Sequence, residues 1–314
     1  MGCSHGKSLD KKANNLNKES LKELFEPKCI NTYPANKQVL CMLPIDSSRV
    51  LLGIDCEIKI LDFASKYPTC LFTEHDGCIN ALLRLSNGLF VSASQDKSIK
   101  VWDMNVPRSK ATLIGHKSTI WTICEITKLD NTIKIASGGD DKQVIIWNTE
   151  ESKLESVLVI ETSAISSIKE LKCMQHHLII STTEGKIAIW DIVERIQIIT
   201  VNIECGVWVF YEYEDEEKLI CGMGNGDLQI RRIRDCMLIK TISAHETSVG
   251  CICKIGHDRL ITGSDDENMI LWNLKDLDEN YILKGHKMGV SGIAKVDSIR
   301  FASCSLDSTI KLWE

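Results

Sequence analysis

Apolar and polar residues alternate along this chain in short runs, and one seven-residue pattern recurs seven times. An acidic or amide residue is followed three and five positions later by apolar residues, and the sixth position is usually Trp. Asp96 leads to Ile99, Val101 and Trp102, and Asp141 leads to Val144, Ile146 and Trp147. Glu184 leads to Ile187, Ile189 and Trp190, and Asp266 to Met269, Leu271 and Trp272. Asp307 leads to Ile310, Leu312 and Trp313. Weaker copies start at Asp55 and Asn225, with Leu61 and Arg231 in the sixth slot. The sixth positions (61, 102, 147, 190, 231, 272, 313) lie 41 to 45 residues apart. A fixed period of that size is the signature of a repeat architecture.

One unit shows what each repeat builds. After His75 come Ile79 and Leu82, then a polar turn at Ser86, Asn87 and Gly88. A second run, Leu89 to Ser94, ends at Gln95 and Asp96; a third, Ile99 to Trp102, alternates with period two. The run from Arg108 to Ile114 supplies a fourth, outer strand. Four short antiparallel strands per unit predict one blade of a β-propeller. The chain is therefore expected to be all-β, with a seven-bladed ring over residues 27–314. Residues 1–26 form a polar, Asn- and Lys-rich leader, expected to be mostly disordered. Within it, Ser20 and Glu23 make a capping box before Leu21, Leu24 and Phe25, which predicts one or two helical turns. The last unit stops at Trp313 and Glu314, the end of a third strand. The stretch Pro27–Thr32, containing Cys29 and Ile30, is expected to supply the missing outer strand and remove an open sheet edge.

Four units carry a further polar set at near-constant spacing. The sets are His75, Ser92, Asp96 and Trp102; His116, Ser137, Asp141 and Trp147; His245, Thr262, Asp266 and Trp272; and His286, Ser303, Asp307 and Trp313. A buried indole N–H needs an acceptor, a buried carboxylate needs donors, and a hydroxyl can relay between them. A Ser/His/Asp trio also suggests a hydrolase. Recurrence four times, each with a Trp, argues instead for a structural network.

The Gly-His pairs Gly115–His116 and Gly285–His286, and the Trp-Asp pairs Trp102–Asp103 and Trp190–Asp191, make the chain resemble the WD-repeat family over roughly residues 27–314. The resemblance implies a seven-bladed propeller that acts as a scaffold. The first unit lacks the His and has Leu61 for Trp; the fourth has Glu161 and Glu184; the fifth has Asn225 and Arg231. Those blades are expected to be held by packing alone. By the same resemblance, three positions per blade line one end of the ring, the top: the third and fifth residues after His and the residue before Asp. In the regular blades these are Cys78, Asn80, Gln95; Thr119, Trp121, Asp140; Ser248, Gly250, Asp265; and Gly289, Ser291, Leu306. In the others they are Gln38, Leu40, Ile54; Ala164, Ser166, Thr183; and Gly206, Trp208, Gly224. Five of the seven Trp fill the sixth slot, while Trp121 and Trp208 fall at the same top position of two different blades. Exposed Trp is enriched at binding anchors. The expected partner-binding set is thus Trp121, Trp208, Asn80, Gln95, Thr119, Asp140, Asp265, Ser291 and Leu306. It has no Arg or Lys cluster, which disfavours a phosphopeptide.

Charge and cysteine content narrow the picture. With 37 basic and 43 acidic residues the net charge is −6, and no basic stripe points to nucleic acid. No apolar run is long enough to span a bilayer. Fourteen Cys without a framework of spacings argue for a reducing, cytoplasmic setting and for thiols as core filler. Cys251 and Cys253 lack a zinc-site spacing, so no metal or other cofactor is expected. Glu212, Glu214, Asp215, Glu216 and Glu217 read as a solvated acidic turn, with Arg231 facing it or solvent. Gly2 and Cys3 suit N-myristoylation and palmitoylation, although Gly6 stands where Ser or Thr is usual. Lys7, Lys11 and Lys12 would favour an anionic leaflet.

The expected function is a non-enzymatic scaffold that binds a protein or peptide on the top face, with a lipid tether to the cytoplasmic face of a membrane. Two other roles fit the same fold: substrate receptor of a ubiquitin ligase, or a G-protein beta-like signalling subunit. Against the latter, Leu9 and Leu16 give only one heptad step.

Overall fold

The computed structural model describes residues 27–126, 132–159, 163–213 and 217–314. Seven four-stranded antiparallel sheets form the blades. Blades 1 to 6 span residues 39–72, 79–114, 120–159, 165–202, 207–243 and 249–283. Blade 7 takes three strands from 290–313 and its outer strand from Cys29–Pro34. The inner strand of each blade touches the inner strands of both neighbours, and Val39–Pro44 of blade 1 meets Val290–Lys295 of blade 7. The ring is thereby closed.

Closure is made by backbone pairing. Cys29 lies opposite Trp313 and Pro34 opposite Thr309. Lys28 and Glu314 exchange backbone hydrogen bonds at 2.8 and 3.1 Å beyond the strand end. The buried Tyr33 then crosses to the next blade, donating its hydroxyl to the Phe63 carbonyl at 2.8 Å.

Middle strands have both faces covered: Phe90–Ser94 and Lys134–Gly139 are buried at every residue, so small and apolar residues dominate them. The core is split into clusters at the contacts between blades. Trp102 packs with Phe90 of its own blade and with Leu51, Ile58 and Phe72 of blade 1, its ring 4.6 Å from that of Phe72. Trp313 stacks on Phe301 at 5.9 Å, with Ile261 and Leu271 of blade 6 around them.

Several sequence expectations are corrected. Arg231 faces neither solvent nor an acidic loop. It is only 5% exposed, and its guanidinium donates to Gln229 Oε1 at 2.6 and 2.9 Å and to the Cys236 carbonyl at 2.8 Å. Blade 5 therefore fills the Trp slot with a satisfied cation rather than with packing alone. Glu212 does not belong to a solvated turn; it lies within the inner strand Val207–Tyr213 at 4% exposure. Its carboxylate accepts the Lys172 and Cys173 N–H groups of blade 4, each at 3.0 Å. Asp55 occupies a short turn with φ 56° and pairs with Lys37 at 2.6 Å, outside any buried polar chain. The leader 1–26, with Gly2, Cys3 and the Ser20/Glu23 box, lies outside the described residues, as do Glu161, Glu214, Asp215 and Glu216.

Removal of residues 1–20 is expected to leave the melting temperature unchanged, whereas removal of 1–36 should lower it sharply by stripping Cys29–Pro34 from blade 7. Thermal unfolding of the two truncations checks this; equal curves would contradict it.

Candidate functional site

Two polar constructions lie near the same end of the ring, and they do different work. The first is the hydrogen-bond chain of blades 2, 3, 6 and 7. In blade 3 the Trp147 indole donates to Ser137 Oγ at 2.7 Å. Ser137 Oγ lies 2.6 Å from His116 Nε2, and His116 Nδ1 lies 2.8 Å from Asp141 Oδ2. The same links measure 2.8, 2.6 and 2.6 Å through Trp102, Ser92, His75 and Asp96. They measure 2.9, 2.8 and 2.9 Å through Trp272, Thr262, His245 and Asp266. In blade 7 they measure 2.9, 2.7 and 3.0 Å through Trp313, Ser303, His286 and Asp307.

Protonation suits this chain. Burial lowers the pKa of His75, His245 and His286, partly offset by their aspartates. A neutral imidazole passes hydrogen bonds one way, accepting the hydroxyl proton at Nε2 and donating Nδ1–H to the carboxylate. Burial opposes charge on Asp96, Asp141, Asp266 and Asp307, but the hydrogen bonds they accept outweigh it and hold all four below the usual range. Backbone N–H groups add to this: Lys117 and Gln143 donate to Asp141 at 2.8 and 3.2 Å. Each hydroxyl is buried under an indole and already saturated, so the trio is a strut rather than a nucleophile. Blade 4 lacks the strut. Ile180 stands where the hydroxyl would be, Trp190 Nε1 is buried without a partner among the described residues, and Glu184 is exposed.

The second construction was not visible in the sequence. The pairing of each inner strand with its neighbour skips one residue, a β-bulge repeated in all seven blades. The skipped residues are Leu40, Asn80, Trp121, Ser166, Trp208, Gly250 and Ser291, the fifth-after-His positions. A bulge frees a carbonyl and re-aims a side chain. The carbonyl just before the bulge is taken by a side chain of the preceding blade in five places. Asn80 donates to Ile120 O at 2.8 Å, Ser166 to Val207 O at 2.6 Å, and Ser291 to Val39 O. Cys41 and Cys251 donate thiols to Ile79 O and Val290 O at 3.4 and 3.6 Å. Burial pushes both thiols up in pKa, keeping them protonated donors. These cysteines are ties between blades as well as filler.

Six bulge residues, Leu40, Asn80, Trp121, Trp208, Gly250 and Ser291, line one cavity of about 280 Å³ at the top mouth, and Ser248 and Asp265 complete it. The indoles are 38% and 41% exposed. Trp121 is held by its Nε1–H to Asp140 Oδ1 at 2.7 Å; Trp208 donates to no described residue and rests against Gly224. Asp265 accepts the Ser248 hydroxyl at 2.5 Å.

Five expected partner-binding residues therefore converge: Trp121, Trp208, Asn80, Asp265 and Ser291. Asp140 adjoins them through Trp121. Gln95, Thr119 and Leu306 lie outside the lining, tied into the blade tops by backbone bonds to Cys78, Asp140 and Gly289. Ser166 and Ile54 are buried, not surface residues. Among the described residues no cluster of His, Cys, Asp and Glu is placed to hold a metal ion.

Comparison with known proteins finds the family model "WD domain, G-beta repeat" at residues 66–103, 107–148, 236–273 and 278–314. These segments carry the four complete polar chains. The chain is 22% identical over 250 residues to a zebrafish p21-activated protein kinase-interacting protein 1-like, covering 79% of this chain and 66% of that one. It is 38% identical over 95 residues to the Xenopus laevis DDB1- and CUL4-associated factor 10, covering 30% of this chain and 20% of that one. It is 21% identical over 259 residues to the human kinesin-like protein KIF21A, covering 81% of this chain and 15% of that one. The chain thus spans less than two thirds of the length of these relatives.

Asp141→Ala is expected to cost about 1–3 kcal/mol, because the His116, Lys117 and Gln143 N–H donors lose their acceptor. Glu184→Ala, at the matching exposed position, should stay within about 0.5 kcal/mol. Denaturant unfolding of both variants checks the contrast.

Proposed function

We propose, on the premise that this chain belongs to the WD-repeat family, that it is a non-enzymatic scaffold binding a protein or peptide across the top mouth of the ring. One observation carries the reading: bulges on blades 3 and 5 raise Trp121 and Trp208 into the same cavity. Large, stiff aromatic side chains give contact area at low entropic cost, and they dominate binding hot spots. Neither indole belongs to an inter-blade core cluster, so stability gives no reason for their exposure. The chemistry of the site points the same way, since the Ser/His/Asp trios are locked as struts. The names of two relatives describe an interacting and an associated protein, which supports a protein partner.

A second reading is that the ring serves a ubiquitin ligase as a substrate receptor. The local similarity to a DDB1- and CUL4-associated factor supports it. The tether reading also stands as a proposal: acylation of Gly2 and Cys3 would hold the scaffold at the cytoplasmic face of a membrane, two lipids being needed for stable anchoring.

Trp121→Ala together with Trp208→Ala should reduce partner recovery at least about tenfold in affinity capture with mass spectrometry. The melting temperature should stay within about 2 °C of wild type. Undiminished capture, or a large loss of stability, would overturn the assignment, and DDB1 among the captured proteins would favour the ligase reading. Gly2→Ala should move the protein from the membrane to the soluble fraction; a wild type that is already soluble would end the tether proposal.

A further inference from the structure

We infer that the mouth of the ring takes a cationic side chain of the bound peptide, inserted between the indoles of Trp121 and Trp208 and neutralised by Asp265. This rests on the peptide-binding reading and adds the chemistry that selects the ligand. The cavity is lined by two half-exposed indole faces and one carboxylate, with no Lys or Arg among its residues. An indole face attracts a cation through its quadrupole.

The hydrogen-bonding groups of the mouth are biased the same way. Most of its side-chain donors are already engaged. Asn80 donates to Ile120 O, Ser291 to Val39 O, Ser248 to Asp265 and Trp121 to Asp140. Among the described side chains, what remains is Trp208 Nε1 and the second Asn80 Nδ2 proton as donors, with Asn80 Oδ1 and the carboxylate oxygens as acceptors. Asp265 and Asp140 receive their bonds from a neutral hydroxyl and a neutral indole, so neither charge is cancelled by its hydrogen-bond partner. An anionic side chain would meet the Asp265 carboxylate, with Asp140 beside Trp121, and few free side-chain donors. An apolar side chain would strip water from Asp265 without replacing it, which is unfavourable. A cation answers both the aromatic faces and the carboxylate. Access is open at one point: a Cβ on Gly250 would meet nothing nearer than the Val290 carbonyl at 3.9 Å. A long side chain can therefore pass beside Gly250 to reach Asp265.

The test is selection from a random peptide library on the full chain, in parallel with the Trp121→Ala/Trp208→Ala variant. Peptides retained only by wild type should share Lys or Arg at one position. Replacing that residue by norleucine should weaken binding about tenfold or more. Asp265→Asn should weaken the parent peptide by a similar factor while barely changing the norleucine form, and its melting curve should match wild type. Synthetic Lys, trimethyl-Lys and Arg versions of the peptide then identify which cation fits best. Tryptophan-dependent peptides with no shared basic residue, or indifference to Asp265→Asn, would overturn the cation assignment and leave the peptide site standing. No tryptophan-dependent peptides at all would overturn both.

Discussion

The second strand of every sheet in this molecule is buried on both faces over nearly its whole length, and that constraint dictates the rest. A middle strand such as Phe90–Ser94, buried at every residue, needs a neighbour on each side. A row of such sheets always leaves two faces wet, so only a ring satisfies all of them. The seam shows how demanding this is. Tyr33, Val39, Val50, Leu61, Ala302 and Ile310 form one core cluster drawn from both ends of the chain.

Within that ring, order is distributed unevenly. Blades 2, 3, 6 and 7 hold complete Trp–hydroxyl–His–Asp chains, and the family model matches those same regions. Blade 4 keeps Trp190, whose indole N–H has no partner among the described residues, and blade 5 substitutes the Arg231–Gln229 pair. These two blades lie at and beside the place where Trp121 and Trp208 rise. The hydrogen-bond signature of the family and the candidate binding surface are therefore separate features of the fold. One secures turns between blades; the other depends on residues that the signature leaves free to vary.

The bulge links architecture to surface. Each inner strand carries one extra residue that leaves the ladder; six of the seven line the mouth, Ser166 is buried, and the carbonyl before the bulge is left to find a donor. Small polar residues and thiols of the preceding blade supply it at Cys41, Asn80, Ser166, Cys251 and Ser291. The belt around the pore and the lining of the cavity thus arise from a single irregularity. Asn80 and Ser291 serve both, which ties their donors down and leaves the mouth rich in acceptors.

The sequence by itself determined the seven units, the strand order within each and the four polar chains. These rest on local periodicity and on the need of a buried indole, hydroxyl, imidazole and carboxylate to satisfy one another. It also singled out Trp121 and Trp208, through their shared place in the repeat. Only the tertiary structure decided that Arg231 and Glu212 are buried, since the Cys236 carbonyl, which Arg231 uses besides Gln229, and the N–H groups of Lys172 and Cys173 are backbone groups that no side-chain pattern records. It also decided that Gln95, Thr119 and Leu306 stand aside from the cavity while Asp265 enters it. A repeat places residues on an end of the ring, but which of them meet depends on a one-residue bulge and on packing between blades distant in sequence.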